Sequence, residues 1–442
     1  MQGVALLASY TITISFVVWV FSRGFVFNKL NFLVAGREIN RTPAAFSIAA
    51  AWIWAPALFL SSEKAYTQGW VGLFWFLIPN VACLILFSFF AEKIRSLFPN
   101  GFTLSGYMRE RYSSRVHNVY MVALIGLATC SFAVQLLAGG KIISGISSLP
   151  YFTTTVILAF IPVGYLLYSG LKASIISDFF QMVLILFIGF GVVIGVINSS
   201  GGIEIVKNGL FGKTGTYTSL FSGDGLNVFY TFGIPVTVGL LSGPFGDQSF
   251  WQRAFAIRRK SVQSSFILAA FIFGVVPLTL SILGFIAAGI GMNVKNTSQV
   301  NMEVVSAFLP TWAIIPFVFL LLSGLVSTLD SNLSAMASIA GHDLAERRKT
   351  GANKSDILKY SKGSMVVLVV GGIAIANIPG LTILYLFLFY GTLRASTLLP
   401  TIITLLKKDV SEAGMFWGVI ISLTIGLPIF AYGNLHKIVP MI

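Results

Sequence analysis

FSIAAAWIWAPALFLSSE, residues 46–63, is an apolar stretch of helical length with a proline in its middle. Pro56 has no N–H to donate, and its ring clashes with the carbonyl of Trp52, so we expect the helix to break near residues 50–56. Inside a membrane, the freed backbone carbonyls are tolerated only where protein surrounds them, and there they can line a cavity or hold an ion. The stretch therefore predicts a broken helix beside a binding site.

A second apolar stretch, residues 229–246, is interrupted in a similar way. Its interruptions are Pro235, Gly239, Gly243 and Pro244. Interrupted hydrophobic segments in corresponding positions of two halves of a chain are typical of the binding site of a membrane transporter. We expect both stretches to contribute to one site.

Composition indicates an integral membrane protein. Hydrophobic residues make up 56% of the 442 residues and charged residues 10%, whereas a soluble domain carries about 25% charge. Many apolar runs reach the roughly 20 residues that a spanning helix needs. We predict an all-α chain whose spans cover residues 3–21, 43–60, 70–90, 117–139, 151–168, 174–196, 226–245, 264–289, 311–338, 364–379, 381–405 and 413–432.

The placement of the positive charges gives an orientation. The net charge is +14, and with the N-terminus outside most of the 29 Lys and Arg residues fall in cytoplasmic loops, including the basic loop of residues 347–362. This is the positive-inside pattern. We therefore expect a multi-pass protein of the cell membrane, with the lipid bilayer and not a nucleic acid as its partner. The first apolar run has no basic residue before it, which favours an uncleaved span over a signal peptide.

Residues that carry enzyme chemistry are scarce in the sequence. Cys83 and Cys130 lie in predicted spans, where cysteine usually acts as a small hydrophobe. The chain has three His residues, no His-rich or Cys-rich cluster and no P-loop glycine motif. The pattern predicts neither an enzyme nor an ATP-driven pump, and no obligate protein partner is evident. Carboxylates are costly in a bilayer, so Asp178, Asp247 and Asp330 are candidate functional residues.

The order of the spans predicts an internal repeat. The twelve spans divide as one, five, five and one, and because five is odd the second repeat would have inverted topology. Each repeat would begin with one of the broken helices. Within a single transporter domain, 1–442, the predicted segments are a flanking helix and loop, 1–42, the first repeat, 43–197, an outer connector, 198–225, the second repeat, 226–406, and a last flanking helix, 407–442.

The ninth span holds a group of small polar residues. Gly324, Ser327 and Thr328 are spaced i, i+3 and i+4 and share one helix face. Two hydroxyls beside a glycine carbonyl form a plausible oxygen cluster, and hard cations take oxygen ligands. The same spacing is also typical of close helix packing, with the hydroxyls bonded to their own helix. Spacing alone leaves both interpretations open.

Four motifs occur in order along the chain. They are SSEKAYTQG at 61–69, SGLKASIISDFFQ at 169–181, GDQSFWQR at 246–253 and VSTLDSNLSAMAS at 326–338. In these motifs the chain resembles the sodium:solute symporter family over roughly residues 30–406. One departure is Ser169-Gly170, where the family usually has Gly-Gly.

The resemblance implies a fold and an ion site. It implies two inverted five-helix repeats with broken first helices, a LeuT-like core, and sodium-coupled symport by alternating access. Bound Na⁺ would be the co-transported ion. In the family's pattern, the sodium oxygens match the hydroxyls of Ser327 and Thr328 and the carbonyls of Gly324, Ala50 and Ile53.

The resemblance also gives Asp178 a place on the inner side of the ion pathway. The alternative is a purely structural partner of Lys172 or of another inner basic residue. From its place in the inner half of the ninth span, Asp330 would pair with Arg394, support the packing or bind sodium directly. A proton-coupled carrier that uses Asp178, or a transporter-like membrane sensor, remains an alternative function.

The candidate substrate residues are Trp52, Trp54, Gln135 and Asp247. The AAAW run ending at Trp52 is similar to that of choline-transporting members, and an indole face binds ammonium groups. Asp247 would supply an opposing charge, and Gln135 a polar contact. Trp54 has lipid-facing packing as its alternative. We expect a small polar solute with nitrogen groups, such as an amine, an amino acid or a urea-like molecule.

Overall fold

The computed structural model describes residues 2–345, 353–407 and 409–436. Part of the basic loop, with Arg347, Arg348 and Lys349, lies outside the described residues, as does Lys408. The α-helices are α1 Gln2–Phe21, α2 Lys29–Val34, α3 Arg41–Trp52, α4 Ala55–Leu97, α5 Leu104–Arg111, α6 Ser114–Ser147, α7 Tyr151–Ser169, α8 Leu171–Ser200, α9 Ile203–Asn208, α10 Gly223–Val228, α11 Ile234–Leu241, α12 Gly243–Gly246, α13 Gln248–Ala256, α14 Val262–Gly289, α15 Val300–Phe308, α16 Ile314–Ser338, α17 Lys354–Ala376, α18 Ile383–Leu406, α19 Glu412–Ile421 and α20 Leu427–His436.

The predicted all-α class is confirmed. The described chain contains helices and no β-strand, and an isolated bridge joins Ile39 and Ile257. Helices satisfy every backbone polar group internally, which a bilayer demands. Ten described helices are long and apolar enough to cross a membrane. The count of twelve spans and the five segment boundaries stay predictions.

The predicted break in the first stretch is confirmed. Helix α3 ends at Trp52, Ile53 and Trp54 are non-helical, and α4 begins at Ala55 with a proline in its first turn. Proline is tolerated at that position because the first N–H groups of a helix have no partner within it. The carbonyl of Ala50 accepts a hydrogen bond from Ile53 N at 3.1 Å, and both it and the carbonyl of Ile53 also accept hydrogen bonds from α16.

Helix α4 contains a second, sharper interruption. Gly69 has φ 58° and ψ −154°, which divides the helix into residues 55–68 and 70–97. A Cβ at Gly69 would lie 2.5 Å from the carbonyl oxygen of Leu210. Trp70 donates from its backbone to that same carbonyl at 2.8 Å. The predicted outer connector is therefore tied to this bend.

The second broken stretch differs from its prediction in detail. Pro235 does not interrupt it, because a π-helical turn, Phe229–Gly233, precedes α11 and places the proline in that helix's first turn. The helix is interrupted at Ser242, where α11 ends and α12 begins with the predicted Gly243 and Pro244. It breaks again at Asp247, which is extended (φ −109°, ψ 112°) and caps α13 by accepting a hydrogen bond from Ser249 N at 2.8 Å.

Helix α16 forms the centre of the molecule. Nearly all of its residues from Phe317 to Ser338 are buried, and it packs against α3, α6, α7 and α8. Exposed positions elsewhere are strongly apolar, for example Phe187 and Val367, as lipid-facing surfaces require. The polar residues of α16 therefore lie inside the bundle, against the first helix break.

Candidate functional site

Five oxygen atoms meet between the first helix break and α16. Ser327 Oγ lies 2.8 Å from the carbonyl oxygen of Ala50 and 3.3 Å from that of Gly324. Thr328 Oγ1 lies 3.1 Å from the carbonyl oxygen of Ile53 and 3.2 Å from that of Gly324. The five residues that the family pattern suggested are thus brought together, through hydroxyls that reach across from one helix to the other.

The cluster has the chemistry of a site for a small monovalent cation. Oxygens that share a hard cation at about 2.3–2.6 Å lie roughly 3.3 Å from one another, close to the spacings observed. Two hydroxyls and three carbonyls supply partial negative charge without a carboxylate. Gly324 also serves packing, because a Cβ there would lie 2.6 Å from Leu58 Cδ1.

A narrow pocket of about 20 Å³ lies beside the oxygen cluster, far below the usual volume of an open ligand site. Its lining residues are Ala51, Trp52, Trp54, Ser131, Val134, Gln135, Asp247, Phe250, Thr328, Tyr390 and Arg394. All four predicted substrate residues are among them. Trp54 therefore borders the pocket, contrary to its lipid-facing alternative, and Thr328 belongs to both the pocket and the oxygen cluster.

Trp52 is held edge-on in this pocket. Its ring packs against Phe250 in a T-shaped contact with centroids 5.4 Å apart. Gly243 makes room for the indole, since a Cβ there would lie 2.4 Å from Trp52 Cη2. The side chain is 2% exposed, and its Nε1 has no hydrogen-bond partner among the described residues. A buried indole N–H normally has a partner, and the described residues supply none here.

Asp247 is paired with a cation, which the sequence did not predict. Arg394 Nη2 lies 3.8 Å from Asp247 Oδ2, and Tyr390 lies between them, accepting a hydrogen bond from Arg394 and donating to Asp247 at 3.5 Å. The predicted pairing of Arg394 with Asp330 is therefore wrong. Helix α18 packs against α12, and this packing brings Arg394 to the second helix break.

Asp178 lies in a separate polar network, inside the bundle. Its Oδ2 accepts hydrogen bonds from Arg253 Nη2 at 2.7 Å and Ser47 Oγ at 2.5 Å. Both members of the ion pair are at most 1% exposed. Arg253 Nη2 also donates to Ser331 Oγ at 2.7 Å, and Ser331 donates to the carbonyl of Ser327 at 2.7 Å. The network thus connects Asp178 to the oxygen cluster, with Arg253 as the inner basic partner in place of Lys172.

Asp330 is surrounded by hydroxyl groups. Its carboxylate lies 2.9 Å from Tyr165 OH and 2.8 Å from the hydroxyls of Ser174 and Ser177. Ser174 also lies 3.5 Å from Asp178 Oδ2. The two carboxylates therefore share one hydroxyl and have one arginine between them.

A model of the sodium:solute symporter family matches residues 32–422. The chain belongs to the sodium:solute symporter family. The described part of the chain contains no group of three or more His, Cys, Asp or Glu residues that could hold a metal ion.

The chain has curated relatives with different stated substrates. It is 23% identical to a urea-proton symporter of Oryza sativa subsp. japonica over 96% of this chain and 64% of the relative. It is 21% identical to a urea active transporter of Saccharomyces cerevisiae (86% of this chain, 55% of the relative). It is 24% identical to a sodium/pantothenate symporter of Haemophilus influenzae (90% and 83%). The chain thus spans under two thirds of the length of the urea transporters that it matches.

Two solved structures share the fold of this chain. A Na⁺-coupled sialic acid symporter in a substrate-bound outward-open state superposes with a TM-score of 0.72 at 15% identity, covering 97% of this chain and 98% of that one. A nucleobase-cation-symport-1 family transporter in a closed conformation gives 0.60 at 16% identity, covering 94% and 91%. These likenesses confirm the predicted LeuT-like fold class.

Besides the small apolar residues Ala51 and Val134, sequence reasoning missed four polar or aromatic residues that line the pocket. They are Ser131, Phe250, Tyr390 and Arg394. Arg394 had a visible signal, because it is a charged residue inside a predicted span, and such residues usually face the bundle interior and have a function. The other three carry no comparable signal, since Ser, Phe and Tyr are ordinary residues of membrane helices.

Proposed function

We propose that this protein is a sodium-coupled symporter that imports a small, neutral, nitrogen-containing solute, such as urea or a related amide, by alternating access. The observation that carries the proposal is the position of Thr328. Its hydroxyl lies 3.1 Å from the carbonyl of Ile53 in the oxygen cluster, and the residue also lines the pocket. An ion bound by the oxygen cluster would therefore influence the shape of the pocket.

Sodium would bind to the carbonyls of Ala50, Ile53 and Gly324 and the hydroxyls of Ser327 and Thr328. These atoms belong to the first broken helix and to α16, so the ion would favour the conformation in which the two lie together. A ligand shifts a conformational equilibrium only by its difference in affinity for the two states. Coupling of this kind is reciprocal, so the solute would increase the affinity for sodium by the same factor.

The charges in the pocket favour a neutral solute over an amine. Asp247 alone would attract a cation, but Arg394 lies 3.8 Å away and compensates its charge. Trp52 offers a flat ring with an unpartnered N–H, and Gln135 offers an amide at the same pocket. The stated substrate of two relatives, urea, has the planar shape and the donor and acceptor groups that such a pocket would bind.

The orientation remains part of the proposal. With the N-terminus outside, the basic loops would face the cytoplasm of a cell-membrane protein. Asp178 and Arg253 would then border the inner part of the ion pathway, so sodium would leave past a compensated carboxylate.

The test is uptake of [¹⁴C]urea into proteoliposomes with an imposed sodium gradient at equal internal and external pH. We expect sodium-driven accumulation of urea in the wild type and its loss in the Ser327→Ala/Thr328→Ala variant. That variant removes two of about five oxygen ligands of the ion, and the loss of each should weaken sodium binding by about 1.5–3 kcal/mol. Ser334→Ala is the matched control on the same helix, since Ser334 Oγ has no hydrogen-bond partner among the described residues. Equal sodium dependence in the double variant and the wild type would refute the ion site. Binding without flux would indicate a sensor.

A proton-coupled carrier is the second candidate function. The buried carboxylates of Asp178 and Asp330 favour it, as does the urea-proton symporter among the relatives. The same vesicles decide between the two candidates. A pH gradient in sodium-free buffer would drive accumulation in a proton-coupled carrier and not in a sodium-coupled one.

A further inference from the structure

Arg394 and Asp247 form a largely buried ion pair, with side chains 11% and 12% exposed, whose charged groups are held apart. Arg394 is 9% exposed, yet its Nη2 lies 3.8 Å from Asp247 Oδ2, beyond ordinary hydrogen-bond distance. Tyr390 contacts both residues and faces the guanidinium, with Arg394 Cζ 3.8 Å from the centroid of its ring. The pair compensates charge without using up its hydrogen-bonding groups on each other.

The guanidinium keeps at least one donor, Nε, that the described chain does not use. A guanidinium carries five N–H groups in a planar fork, and Arg394 Nε is buried without a hydrogen-bond partner in the described chain. Asp247 Oδ1 accepts a hydrogen bond from Ser249 N at the start of α13, which fixes the direction of the carboxylate. Buried donors without partners normally cost stability, so a ligand that satisfied them would gain affinity.

Two glycines of the second broken helix create the space for this arrangement. A Cβ at Gly246 would lie 3.1–3.2 Å from Cγ, Cβ and Cα of Arg394. A Cβ at Gly243 would lie 2.4 Å from Trp52 Cη2 and 3.4 Å from Arg394 Nη1. The indole and the guanidinium therefore border the same spot, beside Gly243.

We propose that Arg394 and Asp247 together select the charge of the solute: Arg394 donates to its carbonyl oxygen, Asp247 accepts from its N–H groups, and the compensated pair rejects cations. The inference rests on the proposed function, since it assumes that a neutral amide occupies the pocket. It adds a specificity-determining residue, Arg394. It also replaces the idea that Asp247 alone attracts an amine.

Urea and guanidinium make a sharp pair of probes. Both are planar, nearly equal in size and rich in N–H donors, but guanidinium is a cation and has no carbonyl oxygen. In wild-type proteoliposomes we expect uptake of [¹⁴C]urea to exceed uptake of [¹⁴C]guanidinium by at least tenfold. In Arg394→Gln, Asp247 becomes an uncompensated buried anion, so this ratio should fall by tenfold or more, with guanidinium gaining in absolute rate.

Two further variants separate charge selection from folding. Arg394→Gln/Asp247→Asn has no charge to attract guanidinium, so guanidinium uptake should return to the low wild-type rate while urea uptake stays weak. Arg394→Lys keeps the charge and loses the planar fork, so it should still reject guanidinium while its apparent affinity for urea falls at least fivefold. Arg115→Gln, at an exposed position in the first turn of α6, is the control for loss of an arginine.

The outcomes distinguish this inference from the proposed function. If wild-type protein takes up no urea, acetamide or formamide, both are refuted. If it takes up urea and Arg394→Gln keeps the urea to guanidinium ratio within twofold, the charge-selecting role of Arg394 is refuted and the proposed function stands. If Arg394→Gln does not fold, Arg394→Lys decides: wild-type affinity for urea in that variant would refute the inference.

Discussion

Replacing Asp178 by Asn should destabilise the protein and slow transport, and the two effects can be separated. The carboxylate accepts hydrogen bonds from Arg253 Nη2 at 2.7 Å and Ser47 Oγ at 2.5 Å. The side chains of Asp178 and Arg253 are at most 1% exposed. Asn keeps the size of the side chain but removes the carboxylate that Arg253 bonds directly, so the buried cation keeps only Asp330, which it reaches through the hydroxyls of Ser174 and Ser331. The second variant in the cycle is Asp178→Asn/Arg253→Gln, which removes both charges.

The magnitude follows from the geometry of the pair. At an effective dielectric constant of about 20, two charges 2.7 Å apart attract by roughly 6 kcal/mol. Desolvation cancels part of that energy, and removing one partner of a buried pair costs about 3–5 kcal/mol. Arg253 keeps its hydrogen bonds to Ser331 Oγ and Ser249 O, so we expect about 3 kcal/mol for Asp178→Asn. The double variant should lose clearly less.

The assay pairs thermal unfolding of the purified protein in detergent with turnover per folded molecule in proteoliposomes. If Asp178 borders the ion pathway, the double variant should recover stability but not turnover. Two results would contradict this reasoning. An Asp178→Asn variant as stable as the wild type would show that the pair does not hold Arg253, and wild-type turnover in the double variant would remove Asp178 from the transport mechanism.

Three further substitutions probe the pocket and the bend. Trp52→Ala should weaken solute binding by about 1–2 kcal/mol, the range for a buried ring contact, and Trp52→Phe should cost less; equilibrium binding of labelled solute measures both. Gly243→Ala should displace the indole, because its Cβ would lie 2.4 Å from Trp52 Cη2, and it should weaken solute binding at least tenfold. The control Gly239→Ala, whose Cβ would have no atom within 4 Å, should bind the solute like the wild type. Gly69→Ala should lower the melting temperature, because φ is 58° and its Cβ would lie 2.5 Å from a backbone carbonyl, while the open helical position Gly164→Ala should not.

Much of the fold can be read from local patterns. The break at Ile53 and Trp54 follows from the chemistry of Pro56, and the apolar runs correspond to helices because a bilayer leaves the backbone no other satisfied conformation. The spacing of Ser327 and Thr328 placed both hydroxyls on one face of α16. Each of these inferences depends on residues within a few positions of one another, where covalent geometry fixes the result.

The partner of each polar side chain could not be predicted from residues that are close in sequence. The sequence suggested Arg394 for Asp330, but the structure places Arg394 beside Asp247 and surrounds Asp330 with the hydroxyls of Tyr165, Ser174 and Ser177. The sequence likewise suggested that Pro235 would interrupt the second broken helix. In the structure a π-helical turn places Pro235 in the first turn of α11, and the backbone becomes extended only at Asp247.

The sequence by itself therefore determined the membrane class, the first broken helix and the polar face of α16, because helical periodicity and proline chemistry act locally. Tertiary structure alone decided that the oxygens of Ser327 and Thr328 face the carbonyls of Ala50 and Ile53, and that Asp247 has a cationic neighbour. A helix presents its residues on a fixed face, but which face meets which neighbour depends on how all the helices pack. That packing sets the charge of the pocket and, with it, the kind of solute that we expect it to bind.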